Sequence, residues 1–170
     1  QIGNGVVSVS SHWADEHIYY PLEVDPYTPA SWFEQGKKDA RFRIKLVIAT
    51  ELVKKAVAAK SPFKAVVADS LYGDDNGFKE SLHQLGVGFV MALKPSHSWW
   101  HVEGTPGSLK EIAQRAAPHT WQKVQRTFRD GHQETWWALE IEAGPYGRRK
   151  LERAVVATTD RESLPEPTTW

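Results

Sequence analysis

Val6, Val7 and Val9, set among small polar residues, predict a strand over Gly5 to Ser11. Tyr19, Tyr20 and Leu22 predict a second strand over Ile18 to Val24, antiparallel to the first. The polar turn Ala14-Asp15-Glu16-His17 joins the two. Pro26 and Pro29 are expected to end strand structure, leaving residues 26–41 irregular. The period then changes. Ile44, Ile48, Leu52 and Ala56 recur every fourth residue, and Val53 and Val57 widen the stripe, which predicts a helix from Ile44 to Lys60. Glu51 and Lys55 are spaced for an i, i+4 ion pair on that helix, and Ser61-Pro62 stops it.

Phe63 to Ala68 is a short valine-rich run that reads as a buried parallel strand ending at Asp69. Tyr72 to Gly77 reads as a loop with several N-cap candidates. Phe78, Leu82 and Leu85 share one face of a following helix, which closes at Gly86. Val87 to Leu93 reads as a second buried strand. Helix, strand, helix, strand implies α/β organisation with a right-handed crossover, and the antiparallel pair before it makes the sheet mixed.

The pattern shifts again after Lys94-Pro95. Ser96 to Gly107 reads as a polar, Trp-rich loop. Leu109 to Ala117 reads as a short helix, with Ser108 as N-cap and Glu111 completing a capping box. Trp121 to Phe128, Thr135 to Glu142 and Leu151 to Thr158 read as three strands, with Gly144-Pro145-Tyr146-Gly147 turning between the last two. Residues 1–95 thus read as an α/β core and residues 96–170 as a β-rich region of the same domain. Both ends look cut: Gln1 opens the chain and runs directly into an apolar segment, and Pro165 to Trp170 closes it without a recognisable element.

Composition narrows the options. At 170 residues the chain suits one domain. Lys plus Arg equals Asp plus Glu, 21 each, so net charge gives no support for nucleic-acid binding, although a local basic face is compatible with it. The absence of cysteine removes disulfides and thiolate metal sites and fits a cytoplasmic protein. No apolar run approaches the ~20 residues of a membrane span, and no signal peptide is visible. Eight tryptophans point to a large packed core or to aromatic contact surfaces.

The candidate chemistry lies in Ala65-Val66-Val67-Ala68-Asp69-Ser70-Leu71-Tyr72-Gly73. A carboxylate at the carboxyl end of a parallel strand stands where α/β sheets place ligand sites. It is costly to bury unpaired, and a divalent metal would satisfy it. The competing reading is that Asp69 caps the next turn or helix. Spacing alone leaves both readings open.

The run Val66 to Gly73 resembles the second-aspartate motif of the DDE transposases of bacterial insertion sequences. Gln1-Ile2-Gly3-Asn4 with its valine-rich strand, and Tyr20-Pro21-Leu22, are similar to that family's second and third strands. The helix from Ile44 and Ser61-Pro62-Phe63 are similar to its first core helix, and Gly86 to Leu93 to its fifth strand. The resemblance implies an RNase H-like mixed sheet, here truncated, with a β-rich insertion in the C-terminal half. It further implies DNA strand cleavage and transfer with two Mg2+ (or Mn2+) ions about 3.5–4 Å apart, held by two aspartates and a glutamate. Asp69 matches the second aspartate, as catalytic residue and metal ligand. The first aspartate should lie on a strand before Gln1 and the glutamate beyond Trp170; Glu111 is the less favoured placement. The first strand would be central, so a chain lacking it should have a split or rearranged sheet and be inactive alone. Implied partners are transposon-end and target DNA and a second copy in a synaptic complex, in the bacterial cytoplasm at the nucleoid.

Other residues invite functional readings. Trp136 and Trp137 lie in the proposed insertion, where related transposases stack an aromatic on a flipped base. Packing is the favoured reading, with one of the pair facing the core. Arg148, Arg149 and Lys150, with Arg153, form a basic cluster suited to phosphate or simply to a solvated turn. His97 and His101 have the i, i+4 spacing of zinc ligands, but their surroundings argue for a loop. Asp74 to Gly77 echoes a calcium loop and is better explained by helix capping. Two competing classes are an inactive transposase remnant serving as a DNA-binding or interaction domain, and a phosphatase or receiver-like domain with Asp69 as phosphoryl acceptor. The second requires another acidic residue on an early parallel strand, where an antiparallel pair is read instead.

Overall fold

One carboxylate builds the hairpin turn that opens the structure. Asp15 Oδ1 accepts from the backbone N–H groups of His17 and Ile18, each at 2.7 Å. Those bonds hold the Asp15 carboxyl below its ordinary range. The computed structural model describes residues 5–101, 106–144, 152–166 and 168–170. The chain divides into two compact units, Gln1–Met91 and Ala92–Trp170.

In the first unit, Val7–Ala14 (β1) pairs antiparallel with Tyr19–Tyr27 (β2). The register shifts between Ser11 and His12, opposite Glu23 and Pro21, so Leu22 is the extra residue of a bulge. Pro26 does not end the strand as expected; it pairs with Ser8 inside β2. Among the described residues β2 carries a ladder on one side only, and such an edge tolerates a residue without an N–H. Two 3-10 turns, Ala30–Trp32 and Gly36–Lys38, follow.

The helix Lys45–Ala58 (α1) buries Ile48, Ala49, Leu52 and Val53, the middle of the predicted stripe. Its charged face differs from the expected Glu51–Lys55 pair. Glu51 instead accepts from Arg43 Nη1 at 2.5 Å, and Lys55 pairs with Glu23 of β2. Arg43 also forks onto Asp25 of β2, at 2.8 and 2.9 Å. Ion pairs to β2 and to Arg43, just before the helix, have taken the place of one within it.

Ala65–Ala68 (β3) and Gly88–Met91 (β4) pair in parallel. Between them lie the short helix Ser70–Gly73 (α2) and the helix Asn76–Gln84 (α3). Asp75 caps α3 by accepting from Phe78 N–H at 2.7 Å, which accounts for the acidic loop as capping. Phe78 and Leu82 join Val9, Ile48, Ala49, Leu52 and Val53 in one core, with Val66, Phe89 and Met91 packed against it. The strands are not buried on both faces as predicted: the paired residues Val67 and Val90 are 77% and 63% exposed. Among the described residues, β1–β2 and β3–β4 remain separate two-stranded sheets.

The second unit is β-rich. Ser96 to Gly107 is not wholly a loop, because Ser98–His101 (β5) and Gly107–Ser108 (β6) pair within it. The helix Leu109–Arg115 (α4) opens on the expected capping box of Ser108 and Glu111. A 3-10 turn, Pro118–Thr120, leads to Gln122–Thr127 (β7), Gln133–Gly144 (β8) and Glu152–Thr158 (β9). The five strands run β6-β5-β8-β7, with β9 also on β8. Trp99, Leu109, Ile112, Trp121, Leu139, Ile141 and Val156 form the centre of the core. The last residues do close on the fold: Thr169 bridges to Ala157, and Trp170 O accepts from Leu93 N–H at 3.0 Å. The turn expected at Gly144 to Gly147 lies largely outside the described residues.

Candidate active site

β3 runs directly into Asp69, which adopts an extended conformation (φ −76°, ψ −179°) and becomes the N-cap of α2. Its Oδ1 accepts from the Leu71 N–H at 2.9 Å, while its backbone carbonyl accepts from Tyr72 and Gly73. The capping reading of Asp69 is therefore realised. A cap engages one carboxylate oxygen, and the side chain is exposed.

Asp69 also borders a cleft of about 420 Å3 in the first unit. β1 residues Val9 to Ala14 line one side, and β3 residues Ala65 to Ala68 line another. Ala49, Leu52, Val53 and Ala56 of α1 form an apolar wall. Tyr72 stands on the same cleft, and burial, then the Asp69 charge, push its hydroxyl pKa up. His12 and Trp13 line it too. His12 stacks on Tyr19 with ring centroids 4.7 Å apart and contacts Ser10 Oγ at 2.9 Å. The Trp13 indole N–H donates to Pro62 O. Sequence reading singled out none of His12, Trp13 or Tyr72 as a cleft residue. The alternation of β1 marks which residues share a face, but not which distant segments line a cleft with them.

Among the described residues, no three His, Cys, Asp or Glu side chains are gathered closely enough to hold a metal ion. Asp69 offers a single hard oxygen donor, so the described residues do not by themselves fit a two-metal centre. Glu111 is engaged elsewhere. Its Oε2 accepts from Ser108 N–H at 2.7 Å and from Ser108 Oγ at 2.9 Å, and these bonds lower its carboxyl pKa.

In the second unit, Trp136 and Trp137 each have a guanidinium group over one ring face. Trp137 shares the alternation of Leu139 and Ile141 and packs against the core. Arg161 lies over its ring at 4.5 Å. Trp136 points to the opposite face of the sheet, yet it is 8% exposed. Arg126 covers it at 4.8 Å and covers Phe128 at 4.4 Å, and its indole N–H donates to Glu134 at 2.9 Å. Arg148, Arg149 and Lys150 lie outside the described residues. His97 packs edge-on against Trp99 beside a strand, with no helix to carry a His97–His101 pair. No helix among the described residues is long and apolar enough to cross a membrane.

Comparison with known proteins decides among the candidate classes. The family model for DDE superfamily endonucleases matches residues 1–157. The chain belongs to this family. It is also 33% identical over 168 residues to the probable transposase for insertion sequence element IS701 of Microchaete diplosiphon. That alignment covers 98% of this chain and 40% of the relative, so the chain spans well under half the length of the curated protein it matches. No solved structure gives a significant match. Family membership sets aside the phosphoryl-acceptor alternative and identifies the Asp69 segment as part of a DDE endonuclease sequence. The architecture that goes with it is mixed α/β with small sheets.

Proposed function

We propose that these residues are a segment of an insertion-sequence transposase that cleaves and transfers DNA strands with the help of divalent metal. The family match carries this reading, because it runs through the one carboxylate that ends a parallel strand at the rim of a cleft. Asp69 is proposed as one acidic ligand of a Mg2+ or Mn2+ centre whose other carboxylates come from outside residues 1–170. When bound, such ions supply charge stabilisation at the phosphodiester and a nucleophile at neutral pH. The contribution of this chain is positional. The β3 ladder and the Leu71 cap fix the backbone of Asp69 beside the cleft, and the cap engages Oδ1 alone.

An RNase H-like architecture is the finer reading of the fold. The order β1, β2, α1, β3, α3, β4, with an antiparallel pair followed by a parallel pair, supports it. Unit one would be the partial core and unit two the β-rich insertion. The proposed partners are transposon-end and target DNA, with a homodimer in the synaptic complex and a nucleoid location. Trp136, Trp137, Arg148, Arg149 and Lys150 are kept as proposed DNA contacts. For the two tryptophans, a base would first have to displace Arg126 or Arg161.

The test is a nicking assay on labelled transposon-end DNA, using protein extended at both ends from its flanking coding sequence. Cleavage that requires Mg2+ or Mn2+ and is lost in Asp69→Ala supports the proposal. Metal-independent cleavage, or full activity in Asp69→Ala, contradicts it.

A further inference from the structure

Trp32, on the loop between β2 and α1, is 81% exposed. Trp13, Trp99, Trp121, Trp136, Trp137 and Trp170, the other tryptophans whose side chains are described, are all buried or half-buried. Trp136 and Trp137 each carry an arginine over one ring face, whereas no ring or cation among the described residues covers Trp32. An indole is a large stacking surface, and leaving it in water forfeits the gain from burying it.

The loop around Trp32 does tuck other rings away. Phe33 and Phe42, both half-buried, meet edge to face with centroids 6.1 Å apart, and Arg41 lies over Phe33 at 5.5 Å. Nor is the backbone loose. Trp32 N–H donates to Pro29 O at 3.0 Å, Phe33 N–H to Ala30 O at 3.2 Å, and Gly36 N–H to Phe33 O at 3.0 Å. Arg41 forks onto Asp39, with both bonds at 3.0 Å. The indole is thus held out by an ordered chain, which lowers the ordering cost of binding. The turn Gly36–Lys38 packs beside the turn Ala30–Trp32 and brings two exposed cations, Lys37 and Lys38. Within residues 28–42 the Arg41–Asp39 pair cancels, leaving these two lysines against Glu34 alone. A chain of zero net charge therefore carries a local positive excess next to its most open tryptophan.

We infer that the 28–42 loop is a contact for single-stranded DNA. The Trp32 ring stacks on one base, and Lys37 and Lys38 take neighbouring phosphates. The choice of DNA as partner rests on the transposase reading. A single strand fits better than a duplex, because an indole stacks on the open face of an unpaired base. The contact is tolerant of sequence, since every base has such a face.

The probe is a fluorescein-labelled oligothymidylate of about twelve nucleotides, with a blunt duplex of the same length for comparison. Both are titrated in EDTA with the protein extended at both ends. Trp32→Ala should weaken oligothymidylate binding at least about fivefold, and Trp32→Tyr should stay within about twofold of wild type. Duplex binding should change less than about twofold in either variant. Lys37→Ala combined with Lys38→Ala should reduce the slope of log K against log salt by about 1.4, from two phosphates at about 0.7 each. Urea midpoints should match wild type throughout, because the replaced side chains are exposed. Unchanged single-strand binding by Trp32→Ala, an equal loss on duplex, an unchanged salt slope, or no oligothymidylate binding by wild type overturns the inference. A lowered midpoint in Trp32→Ala overturns it too, by making the ring a packing residue, and so does a dimer that this variant dissociates. Cleavage is not read, so the two readings fail separately: nicking lost in Asp69→Ala can hold without any Trp32 effect, and Trp32-dependent binding can hold without nicking.

Discussion

Lys60 and Gly86 hold the same left-handed position in the same helix-ending motif, at φ 55° and φ 68°. After α1, Lys60 N–H donates to Val57 O and Ser61 N–H to Ala56 O; after α3, Gly86 N–H donates to His83 O and Val87 N–H to Leu82 O. Both are Schellman motifs, and glycine is the residue that adopts this conformation without a Cβ penalty. Lys60→Gly should therefore stabilise the first unit by about 1 kcal/mol. A urea denaturation curve checks this; an unchanged or lower midpoint would show that the lysine makes contacts worth more than the strain.

The fork from Arg43 to Asp25 makes the stability of the first unit sensitive to acid. Hydrogen bonds from Arg43 hold the Asp25 carboxyl below its ordinary value of 3.8, against a smaller opposing effect of burial. A depressed carboxyl pKa stabilises the fold above the unfolded value and loses that contribution as pH falls through the folded one. Stability should thus drop below pH about 4, and Asp25→Asn should flatten the drop while lowering stability at pH 7. Asp15 and Asp39 are shifted the same way, so some acid slope should remain. Denaturation midpoints at pH 7 and pH 3 provide the check. An identical loss in wild type and Asp25→Asn would remove this pair from the explanation.

Trp136 and Trp137 should behave as packing residues in the absence of DNA. Each is covered on one face by an arginine, and Trp137 also packs against the core. Replacing either by alanine should cost about 3 kcal/mol. Thermal unfolding of the DNA-free protein tests it. A variant with unchanged unfolding and weakened DNA affinity would instead assign that ring to base stacking.

Much of the fold was legible because local pattern and tertiary packing agreed. The Ile48–Leu52 stripe, the Asp15 turn and the Ser108–Glu111 box each draw on residues close in sequence. What failed depended on distant partners. β5 exists because Ser98 and Trp99 pair with Ser108 and Gly107, and residues 100 and 101 with β8, none of which is visible in a Trp-rich polar stretch. Val66 and Val67 are both apolar, so composition hid that one packs on the core while the other is exposed. Lys55 found Glu23 rather than Glu51 because folding brought β2 alongside α1. At the site, the strand-end position of Asp69 could be read from the sequence, whereas the cleft beside it is lined by β1, α1 and β3 residues far apart in the chain.

Asp69 carries two roles that a single substitution can separate. Asparagine is as good an N-cap as aspartate, but it is neutral and a poor magnesium ligand. In the protein extended at both ends, Asp69→Ala should lose about 1 kcal/mol of stability together with DNA cleavage, while Asp69→Asn should keep the stability. The decisive measurement is Mg2+-dependent nicking by Asp69→Asn. The account predicts that cleavage disappears while the unfolding midpoint stays within error of wild type; wild-type cleavage by this variant would reduce Asp69 to a helix cap and contradict the account.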